Sequence, residues 1–323
     1  MDFLAVVSRP DFPSGTGPVG DYFNLRGLIE RHPEWDATIV ELNGRSTEID
    51  WCDGTLMLRN GRTWFDLCDV RTALFMPVCL EIEETQVRVT SQTQPWPRFA
   101  AEQWRPISAL FEARLDAMTG ERTCLNRPSA TRATNHKLMQ FEILRAGGFQ
   151  LPLTRVLQGF PTSGPLAEHT QLVAKNVSEG GWRSATEFSP ARVIGRDDAA
   201  ESWPTLWQRP IVGPLELRCY VIGDSVTAVA LERDPDVLDV REANGGRPVG
   251  AIVPISDTWS ENLLAMTKAL GLDYAVVDAI PAGGELHVLE VNANGVWWFL
   301  PTDVVAVLEA RFHAWIESTV HRR

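Results

Sequence analysis

Two stretches of this 323-residue chain restrict its fold more than any other feature. In Leu217–Leu231, two runs rich in β-branched residues meet at Gly223-Asp224, and Tyr274–Ile280 and Leu286–Val291 flank Pro281-Ala282-Gly283-Gly284 in the same way. Runs of this kind joined by short Gly-containing turns predict antiparallel strand pairs. A chain with two such hairpins late in its sequence must build an antiparallel sheet there.

The remaining segments predict helices and shorter strands around that sheet. Residues 1–125 read as one domain, with strands at Phe3–Val7 and Thr38–Leu42 and a helical stretch between them. The turn dipeptides Asn43-Gly44, Asp53-Gly54 and Asn60-Gly61 separate alternating segments such as Thr55–Leu58 and Thr63–Leu67, which predicts a small meander. Phe99–Met118 reads as a helix ending at Gly120. A second domain, 126–323, is expected to divide at about 205/206. Ala133–Ala146 predicts one helix with Leu138, Phe141 and Leu144 on its apolar face, stopped by Gly147-Gly148. Thr170–Ala174 reads as a strand ending at Lys175, Trp259–Leu270 as an amphipathic helix, and Asp303–Thr319 as a final helix. Strands mixed with helices and linked by hairpins predict a mixed α/β (α+β) class rather than a doubly wound sheet.

Composition narrows the function. The net charge of −12 argues against nucleic acid or an anionic membrane as partner. The five cysteines show no CxxC spacing, and the start MDFLAVVSRPDF reads as a strand rather than a signal peptide, so a cytoplasmic protein with reduced thiols is expected. Most of the twelve tryptophans are expected in the core. The sequence contains no GxSxG, HExxH or GxGxxG.

The basic residues point further. Of thirty Lys and Arg residues only Lys137, Lys175 and Lys268 are lysines. A compact ammonium with three rotatable donors suits a crowded polyphosphate, whereas Arg offers a planar fork. Scattered surface lysines are the alternative. Glu290 and Asn292, two apart on one strand, share a face, and Asp278 on the partner strand can join them. Two carboxylates and an amide oxygen are hard donors suited to Mg²⁺ bridging phosphates, and the apolar neighbours Leu286, Val288, Leu289, Val291, Val296, Trp297 and Trp298 argue against a merely solvated face. Arg218, Arg233 and Arg241 supply charge that phosphoryl transfer requires, unless each is a surface ion pair. Ser178–Gly181 offers backbone N–H groups to phosphates.

Over about residues 126–299 these motifs resemble the ATP-grasp superfamily. GLDYAVVDAIPAGGELHVLEVNANG (271–295) and LELRCYVIGDSVTAVALER (215–233) are similar to the ribosomal-protein glutamate ligase branch. LNRPSATRATNHKLMQFEILRAGGFQLPLT (125–154), Asp239-Val240-Arg241 and GTLMLRNGRTWFDLCDVRTALF (54–75) look most like the peptide ligases that make microviridin-type graspetides. Val240 stands where their motif has Trp, and Phe75-Met76-Pro77 where their meander ends in an aromatic-Arg pair.

The resemblance implies an ATP-grasp fold preceded by a smaller α/β domain on the substrate or leader side. It implies ATP and Mg²⁺, as two ions, held by Asp278, Glu290 and Asn292, with Lys137 and Lys175 on the nucleotide phosphates. Gln208, Arg209 and Ile211 would lie along the adenine, Glu216 on the ribose, and Arg218, Arg233 and Arg241 would be catalytic. The implied reaction is ADP-forming ligation through an acyl phosphate, closing side-chain macrocycles in a precursor peptide with an acidic core. The alternatives are a stand-alone amino-acid or small-carboxylate ligase and a non-catalytic nucleotide-binding regulator. A homodimer is also an expectation.

Overall fold

The computed structural model describes residues 1–8, 23–41, 47–60, 63–77, 97–177, 182–184, 187–188, 191–196, 203–213, 215–232 and 250–321. They form two compact units, Met1–Arg132 with Glu309–Arg323, and Ala133–Leu308.

The first unit is built on strands β1 (Phe3–Ser8) and β2 (Ala37–Glu41), with helix α1 (Leu25–Arg31) between them in sequence. After them come the meander strands β3 (Thr47–Cys52), β4 (Thr55–Asn60) and β5 (Thr63–Asp66), then β6 (Thr72–Pro77). Helix α2 (Pro97–Asp116), strand β7 (Thr123–Leu125) and helix α3 (Pro128–Asn135) complete this stretch. The order β2-β1-β6-β7 makes a four-stranded sheet in which every neighbour is parallel. Parallel strands covered on both faces read as continuous apolar runs, and Phe3–Val6 and Ala73–Met76 are fully buried. One face carries Leu4, Val6, Ala73 and Phe75 against Leu56 and Leu58 of the meander and Phe111 and Leu115 of α2. Sequence reading anticipated the meander but not this parallel sheet.

In the second unit, helix α4 (Lys137–Ala146) is followed by a four-stranded antiparallel sheet. Its strands are β8 (Thr154–Leu157), β9 (Gln171–Asn176), β12 (Arg192–Gly195) and β13 (Thr205–Gln208), in the order β12-β9-β13-β8. Strands β10 (Trp182–Ser184) and β11 (Glu187–Phe188) pair as a separate ribbon. The expected hairpins then supply β14 (Leu215–Ile222), β15 (Ser225–Glu232), β17 (Tyr274–Ala282) and β18 (Glu285–Asn292). With β16 (Gly250–Val253) they form a five-stranded antiparallel sheet in the order β16-β15-β14-β17-β18. Gly283 and Gly284, at φ of 62° and 84°, close the β17–β18 turn in the left-handed region that only glycine enters without strain. Helix α5 (Asp257–Ala269) touches β14, β15 and β17, burying Leu263 and Met266, and Ser256 caps it by accepting from the Trp259 N–H at 3.2 Å. Helix α6 (Thr302–His321) ends the chain's regular structure.

Three expectations need correction. The single helix over Ala133–Ala146 is two, because His136 breaks the run and its Nδ1 accepts from the Met139 N–H, making Lys137 the first residue of α4. The buried face of α4 is Gln140, Phe141 and Leu144, while Leu138 is only half-buried. Among the described tryptophan side chains only Trp35, Trp207 and Trp297 are buried, whereas Trp51, Trp64, Trp203 and Trp298 are exposed. Short edge strands and loop ends supply too little covering mass to enclose so large a ring. Cys52, Cys68, Cys124 and Cys219 form no disulfide. Among the described residues no helix is long and apolar enough to cross a membrane.

Candidate active site

The register of the five-stranded sheet builds the centre of the site. Arg218 lies opposite Asp278, and Asp278 opposite Glu290, so all three side chains share one face across β14, β17 and β18. Asn292, Glu216 and Tyr220 sit two residues along their strands and join that face. Just beyond Asp278 the β17–β18 register shifts, a bulge of the kind that re-aims side chains beside a site.

The contacts are dense. Arg218 Nη1 donates to both Asp278 oxygens, at 2.8 and 3.0 Å. Asn292 Nδ2 donates to Asp278 Oδ2 at 3.0 Å and Glu290 Oε1 at 3.3 Å, which ties the two carboxylates together. From α4, Lys137 Nζ stands 3.6 Å from Glu290 Oε2. Lys175 lies on β9 of the other sheet and feels the charges of the same groups. Its burial pushes the ammonium pKa down, opposed by Glu290, reinforced by Lys137, and opposed again by Glu216 and Asp278. Arg218 behaves differently: burial acts against its charge, but Asp278 together with Tyr220 and Tyr274 more than offsets that, and its pKa is raised. Phe299 and Tyr220 present ring faces to the guanidinium, at 5.3 and 5.9 Å.

Tyrosines fix this face from beneath. Arg218 Nε donates to the Tyr220 hydroxyl at 3.1 Å, and that hydroxyl donates to the Val296 carbonyl at 3.3 Å. The Tyr274 hydroxyl donates to the Gly295 carbonyl. A side chain on Gly295 would stand 2.5 Å from Val276 Cβ, so glycine is what lets the segment after Asn292 lie against β17. Burial pushes the Tyr220 hydroxyl to about 12, which keeps it a neutral donor. Two of the chain's three tyrosines thus serve this site, and sequence reading assigned neither.

The other expected residues distribute as follows. Gln208 is buried at the end of β13, its Nε2 donating to Thr154 Oγ1 at 3.0 Å, and the Arg209 N–H donates to the Leu153 carbonyl at 3.2 Å. With Ile211 they lie on the strand connection that leads into β14 and the buried Glu216. Lys268 is exposed on α5 and pairs with Asp224 at 3.2 Å, apart from the cluster. Arg233, Arg241 and Ser178–Gly181 lie outside the described residues.

The donor set fits a hard dication beside phosphate. Two carboxylates and an amide share one face, and the ammonium groups of Lys137 and Lys175 stand within electrostatic reach of them. A sheet with this acidic face, a second antiparallel sheet carrying one lysine and a helix carrying another occur together here, and the fold is one shared with solved ATP-grasp ligases.

The comparisons agree. The chain superposes with a TM-score of 0.71 and 15% identity on macrocyclase MdnC bound with precursor peptide MdnA from Microcystis aeruginosa MRC, covering 97% of this chain and 98% of that one. A RiPP-associated ATP-grasp ligase of Chryseobacterium gregarium, in complex with ADP and a leader and core peptide, matches at TM-score 0.68 and 16% identity over 99% and 97% of the two chains. D-alanine–D-alanine ligase from Bacillus anthracis complexed with ATP matches at 0.55 and 14%, over 99% and 97%. In sequence, a probable alpha-L-glutamate ligase of Mannheimia succiniciproducens is 31% identical over 180 residues, 53% of this chain and 59% of the relative. The chain thus spans about three fifths of the curated relative that it matches. No protein-family model matches.

Proposed function

We propose that this chain is an ADP-forming ATP-grasp ligase that activates a carboxylate as an acyl phosphate and macrocyclises a ribosomal precursor peptide. The observation that carries the reading is the assembly of Lys137, Lys175, Arg218, Asp278, Glu290 and Asn292 into one charge cluster. Support for a peptide substrate comes from structural likeness along nearly the whole chain to ligases solved with precursor, leader or core peptides. The match to a probable glutamate ligase favours a second reading, ligation of a free amino acid.

In this reading Lys137 and Lys175 bind nucleotide phosphates, Glu216 holds the ribose, and the backbone of Gln208, Arg209 and Ile211 lines the adenine. Asp278, Glu290 and Asn292 would hold Mg²⁺, which neutralises phosphate charge when bound. The substrate carboxylate attacks the γ-phosphorus and ADP leaves. A hydroxyl or amine then attacks the acyl carbon, phosphate leaves with the bonding pair, and an ester or amide remains. Arg218 steadies Asp278 and adds positive charge beside it, and Arg233 and Arg241 hold the acyl phosphate. Residues 1–125 form the leader side, 126–323 clamp ATP, and the enzyme works in the cytoplasm.

The test is mass spectrometry after incubation with ATP, Mg²⁺ and, in turn, candidate precursor peptides with an acidic core and free amino acids. Loss of one water per crosslink, matched by ADP, is expected. Gain of an amino-acid residue would replace the macrocyclase reading with the free amino-acid ligase. Absence of ADP with either substrate would overturn both.

The lysines allow a sharper check on the nucleotide. Lys175→Ala is expected to weaken ATP binding in calorimetry by roughly ten- to hundredfold, the scale of a hydrogen bond to a charged group. Lys268→Ala, which removes only an exposed partner of Asp224, leaves the affinity unchanged. Equal effects at the two positions would remove the assignment of Lys175.

A further inference from the structure

Among the described residues β18 is an edge strand: β17 pairs with one side, and no described strand pairs with the other. Edge strands carry backbone groups that need partners when buried. Val291, flanked by Glu290 and Asn292, is 1% exposed. Its N–H and carbonyl both find a single side chain, Gln140 of α4. Gln140 Oε1 accepts from the Val291 N–H at 3.0 Å, and Nε2 donates to the Val291 carbonyl at 2.7 Å. The amide therefore pairs with the strand edge as a neighbouring strand would. Nε2 also donates at 2.7 Å to the Thr134 carbonyl, in the last turn of α3. Such a terminal carbonyl has no partner within its own helix.

Gln140 is itself 1% exposed, on the buried face with Phe141 and Leu144. Lys137 lies three residues earlier and shares that side of the helix. One amide thus joins the helix that carries Lys137, the end of the helix before it, and the strand that carries Glu290 and Asn292. No apolar residue could make the same two-point contact with a backbone. Asn at this position would be one methylene too short to reach from the same helix.

We propose that Gln140 is a positioning residue: its clamp on Val291 sets the 3.6 Å approach of Lys137 to Glu290 and thereby the spacing between phosphate contact and metal ligand. The clamp deepens the nucleotide-site reading given above and rests on it for its functional consequence. The structural part stands separately, because the Lys137–Glu290 distance is present without bound nucleotide and can be measured in its absence.

The experiment uses the full chain with Gln140→Ala and Gln140→Glu, the second keeping the acceptor for the Val291 N–H and the side-chain length. Crystal structures without nucleotide come first. Separation of Lys137 from Glu290 to well beyond its present distance in Gln140→Ala is the expected result; an unchanged approach overturns the proposal. If Gln140→Ala does not fold, the same distance in Gln140→Glu decides. Calorimetry of ADP with Mg²⁺ and with EDTA follows. The Mg²⁺-dependent gain in ADP affinity is expected to fall by roughly tenfold or more, as for residues that orient metal ligands, with Gln140→Glu between Gln140→Ala and wild type. A merely structural residue would lower the thermal midpoint and leave that gain intact, which would overturn the functional role. If wild type binds no Mg·ADP, the nucleotide reading fails, and the crystal structures alone judge the clamp.

Discussion

Glu290→Gln is expected to reduce ADP formation by roughly 10²–10³-fold, the scale of removing one group that stabilises transferring charge. Asp278 and Glu290 are held differently. Asp278 gives both oxygens to Arg218 at 2.8 and 3.0 Å, so much of its charge is already spent inside the protein. Glu290 accepts from Asn292 at 3.3 Å and stands 3.6 Å from Lys137, so its charge faces the lysine assigned to the nucleotide phosphates. Glutamine retains the size and the Oε1 acceptor while losing the charge, so the thermal midpoint should change little. Steady-state ADP release with circular dichroism as a control checks this, and near-wild-type turnover by Glu290→Gln would refute the metal assignment.

The shared face of Asp278, Glu290 and Asn292 was legible in sequence for a geometric reason. Two-residue spacing on one strand and pairing across a short hairpin leave few places for Asp278, Glu290 and Asn292 except one face. The hairpins themselves announce their pairing through alternating β-rich runs and glycine turns. Other parts of the site had no such local signal. Helical periodicity runs through His136 without interruption, so the break that starts α4 at Lys137 becomes visible only where the imidazole caps the new helix. Gln140 reads as a polar interruption of an apolar face until Val291, 151 residues away, supplies its partner. The parallel pairing of β1 with β6 likewise joins segments that no turn connects. Tyr220 gave half a clue, being two residues from Arg218 and therefore on its face, but its hydroxyl partner at Val296 is set by tertiary packing.

Arg218→Met is expected to destabilise the protein by about 3–5 kcal/mol, because it removes one partner of a buried ion pair and leaves the other charge in a poor solvent. Arg218 and Asp278 are each 7% exposed. The carboxylate of Asp278 then loses a bidentate donor and must be protonated or drag water inward. The reverse change should cost less. In Asp278→Asn the guanidinium keeps the Tyr220 hydroxyl at 3.1 Å and the ring of Phe299 at 5.3 Å, and the new amide still offers an oxygen. The double variant Arg218→Met/Asp278→Leu replaces both charges with apolar groups, and should be more stable than Arg218→Met alone although inactive. Urea unfolding of these three variants and of Asp278→Leu alone measures this directly. Additive losses in the double variant would show that the two side chains are not coupled, and the face that joins β14, β17 and β18 would then owe its order to something other than this pair.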